Sequence, residues 1–382
     1  MNRVLSTAIA TAALLVAPSR LSAAPPVPPT QAVPVPAWTL SLHKRLEAAD
    51  ARFAGDIGVY VHHLDRDESF SYRAEEPWYL ASGVKVPVAI AVMRAIERGE
   101  LSLATRLTLR ETDFVDGAGG TNAHPPGTRL TVSYLLEQMI VHSDNTASDM
   151  LIRAVGIARV NAVAAELIAA RGVEITSLAD VRRRAYGMLH PAAAGLRSSD
   201  LLALQRSGAG QARVRKLAQL LAVEPADFLL PDLDSAFEAY YATHANSATL
   251  VDYGRMLASL ADGLALGPDA TRYLLDLMAR VQTGDRRIRA GLPARVRFAH
   301  KTGTQYRRTC DLGIATVPPP APRTRGALPA LPARVVIAAC ARGAGTAAAE
   351  RALRDVGAAV TASGVFVEAP AVPTVSPPIV PP

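Results

Sequence analysis

The positions of strand and helix patterns along the sequence limit most strongly the folds that this chain can form. Near both ends the sequence has strand patterns: apolar and polar residues alternate at 58–64 and 69–73, and the strand pattern resumes at 296–301, 310–317 and 334–341. Between about 130 and 280, apolar residues instead recur at helical spacing. A sheet built from these strands has to join the two ends of the chain. We therefore predict an α/β (α+β) fold: an antiparallel sheet made from both chain ends, flanking helices and an inserted all-helical region.

The first 23 residues have the pattern of a cleavable export signal. Arg3 precedes an apolar run from Val4 to Pro18, and the small residues Ser22 to Ala24 supply a cleavage site. The run is shorter than the roughly 20 apolar residues of a membrane span, and no later segment is long and apolar enough. We therefore expect a periplasmic or secreted protein without stable membrane insertion.

Proline-rich segments mark the predicted limits of the folded part. Residues 24–38 are rich in proline and carry no charge, which is typical of a linker. The last segment, 366–382, is also rich in proline and is predicted to be disordered. We expect one domain between them, at 39–365.

The composition excludes several classes of function. Charges of both signs alternate along the 382 residues, so the sequence has no basic stripe for a nucleic-acid partner. Two cysteines are too few for a zinc site of four thiolates, and the sequence has no His-x-x-x-His pair, so we expect neither metal nor other cofactor. Cys310 begins one predicted strand and Cys340 ends the next. A disulfide between them and two buried thiols are both open alternatives.

Only four of the 41 basic residues are lysines, and two of them lie in recognisable motifs. This matters because a lysine can lose its proton in a protein, whereas an arginine stays charged. In Ser82-Gly-Val-Lys85, at the start of a predicted helix, side chains at i and i+3 share one helix face. A lysine amine can therefore lie close to a serine hydroxyl. For this motif alone, the alternative is a helix-capping serine and a surface lysine.

Two further motifs follow in order along the chain. Ser143-Asp-Asn145 lies between two predicted helices, where helix capping is the alternative for the motif alone. Lys301-Thr302-Gly303-Thr304 follows a predicted strand. At a sheet edge, lysine and threonine can bind a carboxylate, glycine permits close approach to the backbone, and a free main-chain N–H can face an oxyanion.

In this order and context, the three motifs resemble those of the serine β-lactamases and penicillin-recognising enzymes, and most closely those of class A β-lactamases. The likeness extends over about 40–180 and 246–363. It implies that Ser82 is the acylated nucleophile, that Lys85 helps to remove its proton, and that Ser143 passes a proton to the leaving nitrogen.

The resemblance also implies which groups bind the substrate. The residues concerned are Asn145, Lys301, Thr302, Gly303 and Thr304. Asn145 would hold the lysine of the first motif and the substrate amide, whereas the third motif would bind a substrate carboxylate. The main-chain N–H groups of Ser82 and Thr304 would form the oxyanion hole. Arg287 is a further candidate for carboxylate binding beside Lys301.

One class A feature is absent from this sequence. Those enzymes have Glu-x-x-Leu-Asn between the second and third motifs, and its glutamate activates the water that hydrolyses the acyl-enzyme. At the corresponding place this chain reads Leu178-Ala-Asp-Val-Arg-Arg-Arg-Ala-Tyr186. An insertion at about 182–245 follows, with two helical stretches. Glu238 and, after it, Glu224 are candidates for a replacement base, and an exposed carboxylate is the alternative for each.

Three functions share the chemistry up to acylation of Ser82. The first is an exported serine β-lactamase that hydrolyses cyclic amides. The second is a penicillin-binding DD-peptidase or transpeptidase that acts on D-Ala-D-Ala cell-wall peptides. The third is a non-catalytic sensor that traps acyl groups. We rank the β-lactamase first, and we expect a monomer whose partner is a small β-lactam or a D-Ala-D-Ala peptide.

Overall fold

Strands from both ends of the chain form one five-stranded antiparallel sheet. The computed structural model describes residues 35–168, 173–319 and 332–367. The strands of the sheet are β1 (Asp56–His63), β2 (Glu68–Tyr72), β7 (Arg297–Gln305), β8 (Arg308–Val317) and β9 (Ala333–Arg342). Their order is β2-β1-β9-β8-β7, so the first strand lies beside the last. The predicted antiparallel sheet made from both chain ends is confirmed, and β7 lies at its edge.

Helices make up most of the remaining described residues. They are α1 (Ala37–Asp50), α2 (Lys85–Glu97), α3 (Val132–Ile140), α4 (Asn145–Val155), α5 (Ile157–Leu167), α6 (Leu178–Gly187), α7 (Ser198–Arg206), α8 (Gly210–Leu221), α9 (Leu233–Tyr241), α10 (Leu250–Ala261), α11 (Pro268–Ala279), α12 (Ile288–Gly291) and α13 (Thr346–Ser363). Two short strand pairs complete the described structure. They are β3 (Trp78–Tyr79) with β6 (Ser247–Ala248), and β4 (Arg106–Thr108) with β5 (Arg129–Thr131).

Strands β1, β8 and β9 are covered on both faces of the sheet, which explains their many consecutive buried residues, whereas the edge strand β2 has none. On one face, Val59 and Ile337 belong to a buried cluster with Leu42 of α1 and Leu353 of α13. On the other face, alternate residues of the same strands join the larger cluster formed with α2, α10 and the helical region. A strand that is buried on both faces has few positions for polar residues.

The predicted insertion contains more helix than the sequence pattern indicated. The two predicted stretches correspond to α7 and α8, whereas α6 and α9 were not predicted as helices. Each begins at a capping side chain: Ser177 accepts a hydrogen bond from the main-chain N–H of Asp180, and Asp232 accepts one from that of Ser235. These caps satisfy N–H groups that a short helix leaves without partners.

The two cysteines are joined by a disulfide. Cys310 of β8 and Cys340 of β9 are directly opposite in the antiparallel register, with Cα atoms 4.0 Å apart. The two alternatives left open by the sequence therefore resolve in favour of the bond.

The predicted domain limits fall partly outside the described residues. The predicted signal at 1–23, most of the linker at 24–38 and all but two residues of the tail at 366–382 lie there. The described residues from Pro36 to Val367 belong to one compact unit. Phe366, which the prediction assigned to the tail, packs against the cluster of α1 and α13. Among the described helices, none combines the length and the apolar character of a membrane span.

Candidate active site

Ser82 lies in a tight turn that leads into α2. Residues Ala81–Val84 form a short 3₁₀ segment, and Ala81 has a positive φ of 48°. Residues other than glycine rarely adopt this backbone conformation, and such backbone strain occurs preferentially at functional positions. From the buried side of the turn, the hydroxyl of Tyr253 in α10 donates to the carbonyl oxygen of Gly83 over 2.9 Å. The turn is therefore fixed by buried packing while Ser82 stays half-buried.

The edge strand β7 runs directly beside this turn. A Cβ atom added to Gly303 would lie only 2.3 Å from the carbonyl oxygen of Leu80. The strand can thus approach the turn of Ser82 only because this position is glycine. The third motif lies inside β7 rather than after it, which corrects the predicted end of the strand at residue 301.

Lys85 is completely buried at the start of α2. Its Nζ donates to the carbonyl oxygen of Ser143 over 2.5 Å and to Oδ1 of Asn145 over 2.8 Å, and it lies 3.3 Å from Oγ of Ser143. Burial is the main cause that lowers the pKa of Lys85 to about 7, although the nearby carboxylates of Asp144 and Asp149 act in the opposite direction. This amine can therefore be neutral near neutral pH, as a general base requires.

Ser143 connects this lysine to the third motif. The completely buried Lys301 donates from Nζ to Oγ of Ser143 over 3.0 Å. Burial first, and then the positive charges of Lys85 and Arg287, lower the pKa of Lys301 well below its usual value. Ser143 has a positive φ of 64°, a second strained backbone position in the site. One hydroxyl thus lies between two amines, an arrangement that can transfer protons.

The second motif is positioned by the glycine-containing loop at 116–120. Asp144 caps α4 by accepting from the N–H of Ala147, and a Cβ atom at Gly119 would lie 2.2 Å from Oδ2 of this aspartate. Asn145 donates from Nδ2 to the carbonyl oxygen of Asp116 over 2.6 Å. The loop therefore orients the amide that binds Lys85, a role that its sequence did not indicate.

The third motif is supported from the interior. Arg287, of which 3% is exposed, donates to the carbonyl oxygens of Gly303 and Cys310 and to Oγ1 of Thr304, and pairs with Glu350. Its guanidinium is thus occupied by protein acceptors that fix β7. Direct binding of a substrate carboxylate by Arg287 stays a prediction.

The hydroxyl of Thr302 also has a close partner in the protein. Its Oγ1 lies 2.5 Å from that of Thr283. Thr302 is buried like Lys301, and its main-chain carbonyl oxygen accepts from Nζ of Lys301 over 3.0 Å.

The two candidate replacement bases are not hydrogen-bonded to any motif residue. Glu238, on α9, pairs with Arg308 through a 2.6 Å contact. Glu224 is exposed and caps the short turn Pro225–Asp227. The structure therefore gives neither glutamate a contact with Lys85 or Ser143.

Other charged residues, which the sequence analysis did not single out, lie near the first two motifs. Arg182 of α6 donates from Nε to Oδ1 of Asp116 over 2.6 Å. Asp149, buried in α4, accepts hydrogen bonds from the main-chain N–H groups of Leu178 and Ala179 and so fixes the start of α6. Burial raises the pKa of Asp149 to about 7. The residue numbers of these partners are far apart, so no local pattern could have paired them.

Comparisons with known proteins identify a family and several relatives of similar sequence. A family model described as "Beta-lactamase enzyme family" matches residues 41–324. A protein named β-lactamase from Streptomyces albus G is 26% identical over 290 residues, which cover 73% of this chain and 74% of that protein. A β-lactamase of Mycobacterium tuberculosis is 25% identical over 278 residues, covering 72% of this chain and 73% of the relative.

Solved structures show the same fold. A β-lactamase from Sphaerobacter thermophilus aligns with a TM-score of 0.61 and 24% identity, covering 85% of this chain and 98% of that one. The protein PBP-A aligns with a TM-score of 0.61 and 20% identity, covering 85% and 96%. A PBP-A variant solved as an acyl-enzyme complex with penicillin G also aligns, with a TM-score of 0.57 and 20% identity, covering 87% of this chain and 98% of that one.

Proposed function

This chain belongs to the beta-lactamase enzyme family, and we propose that it is an exported serine hydrolase that opens β-lactam amides through an acyl ester on Ser82. Family and fold support a hydrolase of the serine β-lactamase type. The observation that supports the acyl-serine mechanism is the pair of buried amines, Lys85 and Lys301, that both lie within hydrogen-bond distance of Oγ of the half-buried Ser143, near the turn of Ser82.

Acylation begins with removal of the hydroxyl proton of Ser82. Neutral Lys85 accepts this proton while Oγ attacks the carbonyl carbon of the lactam. The carbonyl oxygen then carries negative charge, which the main-chain N–H groups of Ser82 and Thr304 stabilise. The close approach of β7 to the turn, which Gly303 permits, favours a shared position for these two donors.

Collapse of the tetrahedral intermediate breaks the bond between the carbonyl carbon and the ring nitrogen. The leaving nitrogen needs a proton, and Ser143 supplies it from its hydroxyl. The protonated amine of Lys85 restores that proton, because its Nζ lies 3.3 Å from Oγ of Ser143. The proton taken from Ser82 thus ends on the ring nitrogen, and an ester remains on Ser82.

Substrate binding uses the residues on either side of this path. Lys301 and the hydroxyl of Thr302 bind the carboxylate next to the ring nitrogen, and Asn145 binds the amide of the acyl side chain. Two hydrogen bonds fix the orientation of the Asn145 amide: Oδ1 accepts from Lys85, and Nδ2 donates to the carbonyl oxygen of Asp116. Each of these two atoms can make one further hydrogen bond, which is available to the substrate.

Hydrolysis of the ester is the step for which the site is least equipped. The segment from Leu178 to Tyr186 has no glutamate, and Arg182 of this segment is paired with Asp116. General-base assistance typically contributes about 10²–10⁴-fold. We therefore expect slow hydrolysis of the acyl-enzyme. This observation also supports a second candidate function, a penicillin-binding peptidase that acts on D-Ala-D-Ala peptides.

The proposed location is the periplasm or the exterior of the cell. The export pattern at 1–23 supports it, and so does the disulfide between Cys310 and Cys340, because structural disulfides persist in oxidising compartments. The protein is proposed to act as a monomer.

The two candidate functions differ in the substrate that is turned over. Purified protein is incubated with a chromogenic cephalosporin and, separately, with a peptide ending in D-Ala-D-Ala. We expect a burst of cephalosporin hydrolysis equal to the enzyme concentration, then a slower steady phase, and no release of D-alanine. Release of D-alanine with a cephalosporin adduct that does not hydrolyse would favour the peptidase. A Ser82→Ala variant serves as the control in both assays.

A further inference from the structure

A continuous path of contacts crosses the site and has a basic side chain at each end. At one end Lys301 donates to Ser143, which lies 3.3 Å from Nζ of Lys85, and Lys85 donates to Asn145. Asn145 in turn donates to the carbonyl of Asp116, whose carboxylate accepts from Arg182. Lys301 has an assigned ligand in the proposed function. Arg182, at the other end, has none.

Arg182 has donors that the protein does not use. Its Nε is bonded to Asp116 over 2.6 Å, but across residues 35–168, 173–319 and 332–367 its two terminal nitrogens make no hydrogen bond with a protein acceptor. Only 15% of the side chain is exposed. Neither terminal nitrogen belongs to the fully covered unpaired side-chain atoms of the described residues, so both can be reached from solvent and can donate to a ligand in the site.

The position of Arg182 identifies the side of the substrate that it can reach. Its ion-pair partner Asp116 also holds Asn145, the residue proposed to bind the acyl-side amide. Burial is the main cause of the lowered pKa of Lys85, and the positive charge of Arg182 adds to this effect. Arg182 therefore lies on the Asn145 side of the site, at the opposite end of the contact path from Lys301.

We propose that Arg182 is a specificity-determining residue that binds an acidic group on the acyl side of the substrate. The proposal rests on the proposed acyl-serine function and specifies its substrate class. The preferred substrates carry two negative groups, one bound by Lys301 and one by Arg182. A guanidinium suits this task because its planar fork can hold Asp116 on one edge and a second carboxylate on another.

The test compares two penicillins that differ by one carboxylate. Benzylpenicillin has a neutral acyl side chain. α-Carboxybenzylpenicillin has the same side chain with one carboxylate added on its α-carbon. The second-order rate constant of acylation is measured for each by intact-protein mass spectrometry. We expect the dianionic compound to acylate the unaltered protein about tenfold faster, as one charge-assisted hydrogen bond at a mostly covered site can supply.

Three variants separate substrate binding from a structural role of the ion pair. Arg182→Gln should reduce the ratio of the two rate constants to about one or below. Asp116→Asn removes the carboxylate that pairs with Arg182 but keeps the arginine. The ratio of the two rate constants should therefore stay the same or increase. Arg183→Gln is the matched control, because this neighbouring arginine is bonded to Asp180 and to the carbonyl of Leu196. Its ratio should equal that of the unaltered protein.

The outcomes distinguish failure of this inference from failure of the proposed function. A ratio of one or below in the unaltered protein overturns the inference without any variant. Equal slowing of both penicillins by Arg182→Gln and by Asp116→Asn, at a constant ratio, also overturns it and identifies a structural ion pair. If neither penicillin forms an adduct with the unaltered protein, the proposed function fails, and this inference fails with it.

Discussion

Lys85 provides the most quantitative prediction, because its role depends on one protonation state. As the base that takes the proton of Ser82, Lys85 has to be neutral. Its pKa is lowered to about 7, so the neutral fraction grows as the pH rises through 7 and is nearly complete by pH 9. The acylation rate should therefore increase with pH and then level off. Lys85→Arg keeps a positive charge that cannot be lost, so it should acylate slowly at every pH.

The magnitude follows from the two protonation equilibria. With a pKa of about 7, roughly 1% of Lys85 is neutral at pH 5, so acylation there should be about 10²-fold slower than at the plateau. An ordinary lysine, with a pKa near 10.4, would be neutral at pH 7 in only about 0.04% of molecules. Burial of Lys85 thus raises the amount of available base by about 10³-fold at neutral pH. Loss of the base in Lys85→Arg should cost about 10²–10⁴-fold.

The assay is the acylation rate constant for benzylpenicillin, measured by intact-protein mass spectrometry from pH 5 to pH 9. Circular dichroism checks at each pH that the protein is folded. Lys44→Arg is the matched control, because Lys44 is exposed on α1, and its profile should equal that of the unaltered protein. A flat profile across this range, or a Lys85→Arg variant as fast as the control, would refute a lysine base.

Three further predictions concern the packing and the turnover of the site. Gly303→Ala should slow acylation by at least about tenfold, because the added Cβ would push β7 away from the turn of the nucleophile. The rate of adduct formation measures this effect, and an unchanged rate would contradict the close approach of β7 to the turn. Replacing both Cys310 and Cys340 by alanine should lower the free energy of unfolding by about 2–4 kcal/mol in denaturant titrations, whereas equal midpoints would show no contribution from the bond. Glu238→Gln and Glu224→Gln should each leave the lifetime of the acyl-enzyme unchanged, since neither carboxylate contacts a motif residue; a longer lifetime in either variant would identify the deacylation base.

The parts of the fold that could be predicted from the sequence depend on local signals. The strand patterns of β1, β8 and β9 and the polar turn before β2 are such signals, and the sheet that they predict is present. The end of β7 could not be placed, because the strand continues through Lys301 to Gln305 only by pairing with β8. Likewise α6 was not predicted, since three consecutive arginines from Arg182 interrupt its apolar spacing, and its start depends on distant Asp149.

The candidate site could be predicted to a similar extent. The order of three short motifs was enough to infer the family, and the match to the family model confirms that inference. The contacts around the motifs were not predictable. Arg182 and Asp116 are 66 positions apart and meet only through tertiary packing. Burial of Arg287 behind β7 is a second example, because a surface position is the ordinary expectation for an arginine.

The central claim is that Ser82 is the residue that becomes acylated, and it can be tested directly. The full chain is incubated with benzylpenicillin, its intact mass is measured, and the modified peptide is then sequenced by tandem mass spectrometry. We predict one adduct of the mass of the intact penicillin, located on Ser82 and absent from Ser82→Ala. An adduct that persists in Ser82→Ala, or one located on another residue of the unaltered protein, would contradict the proposed mechanism.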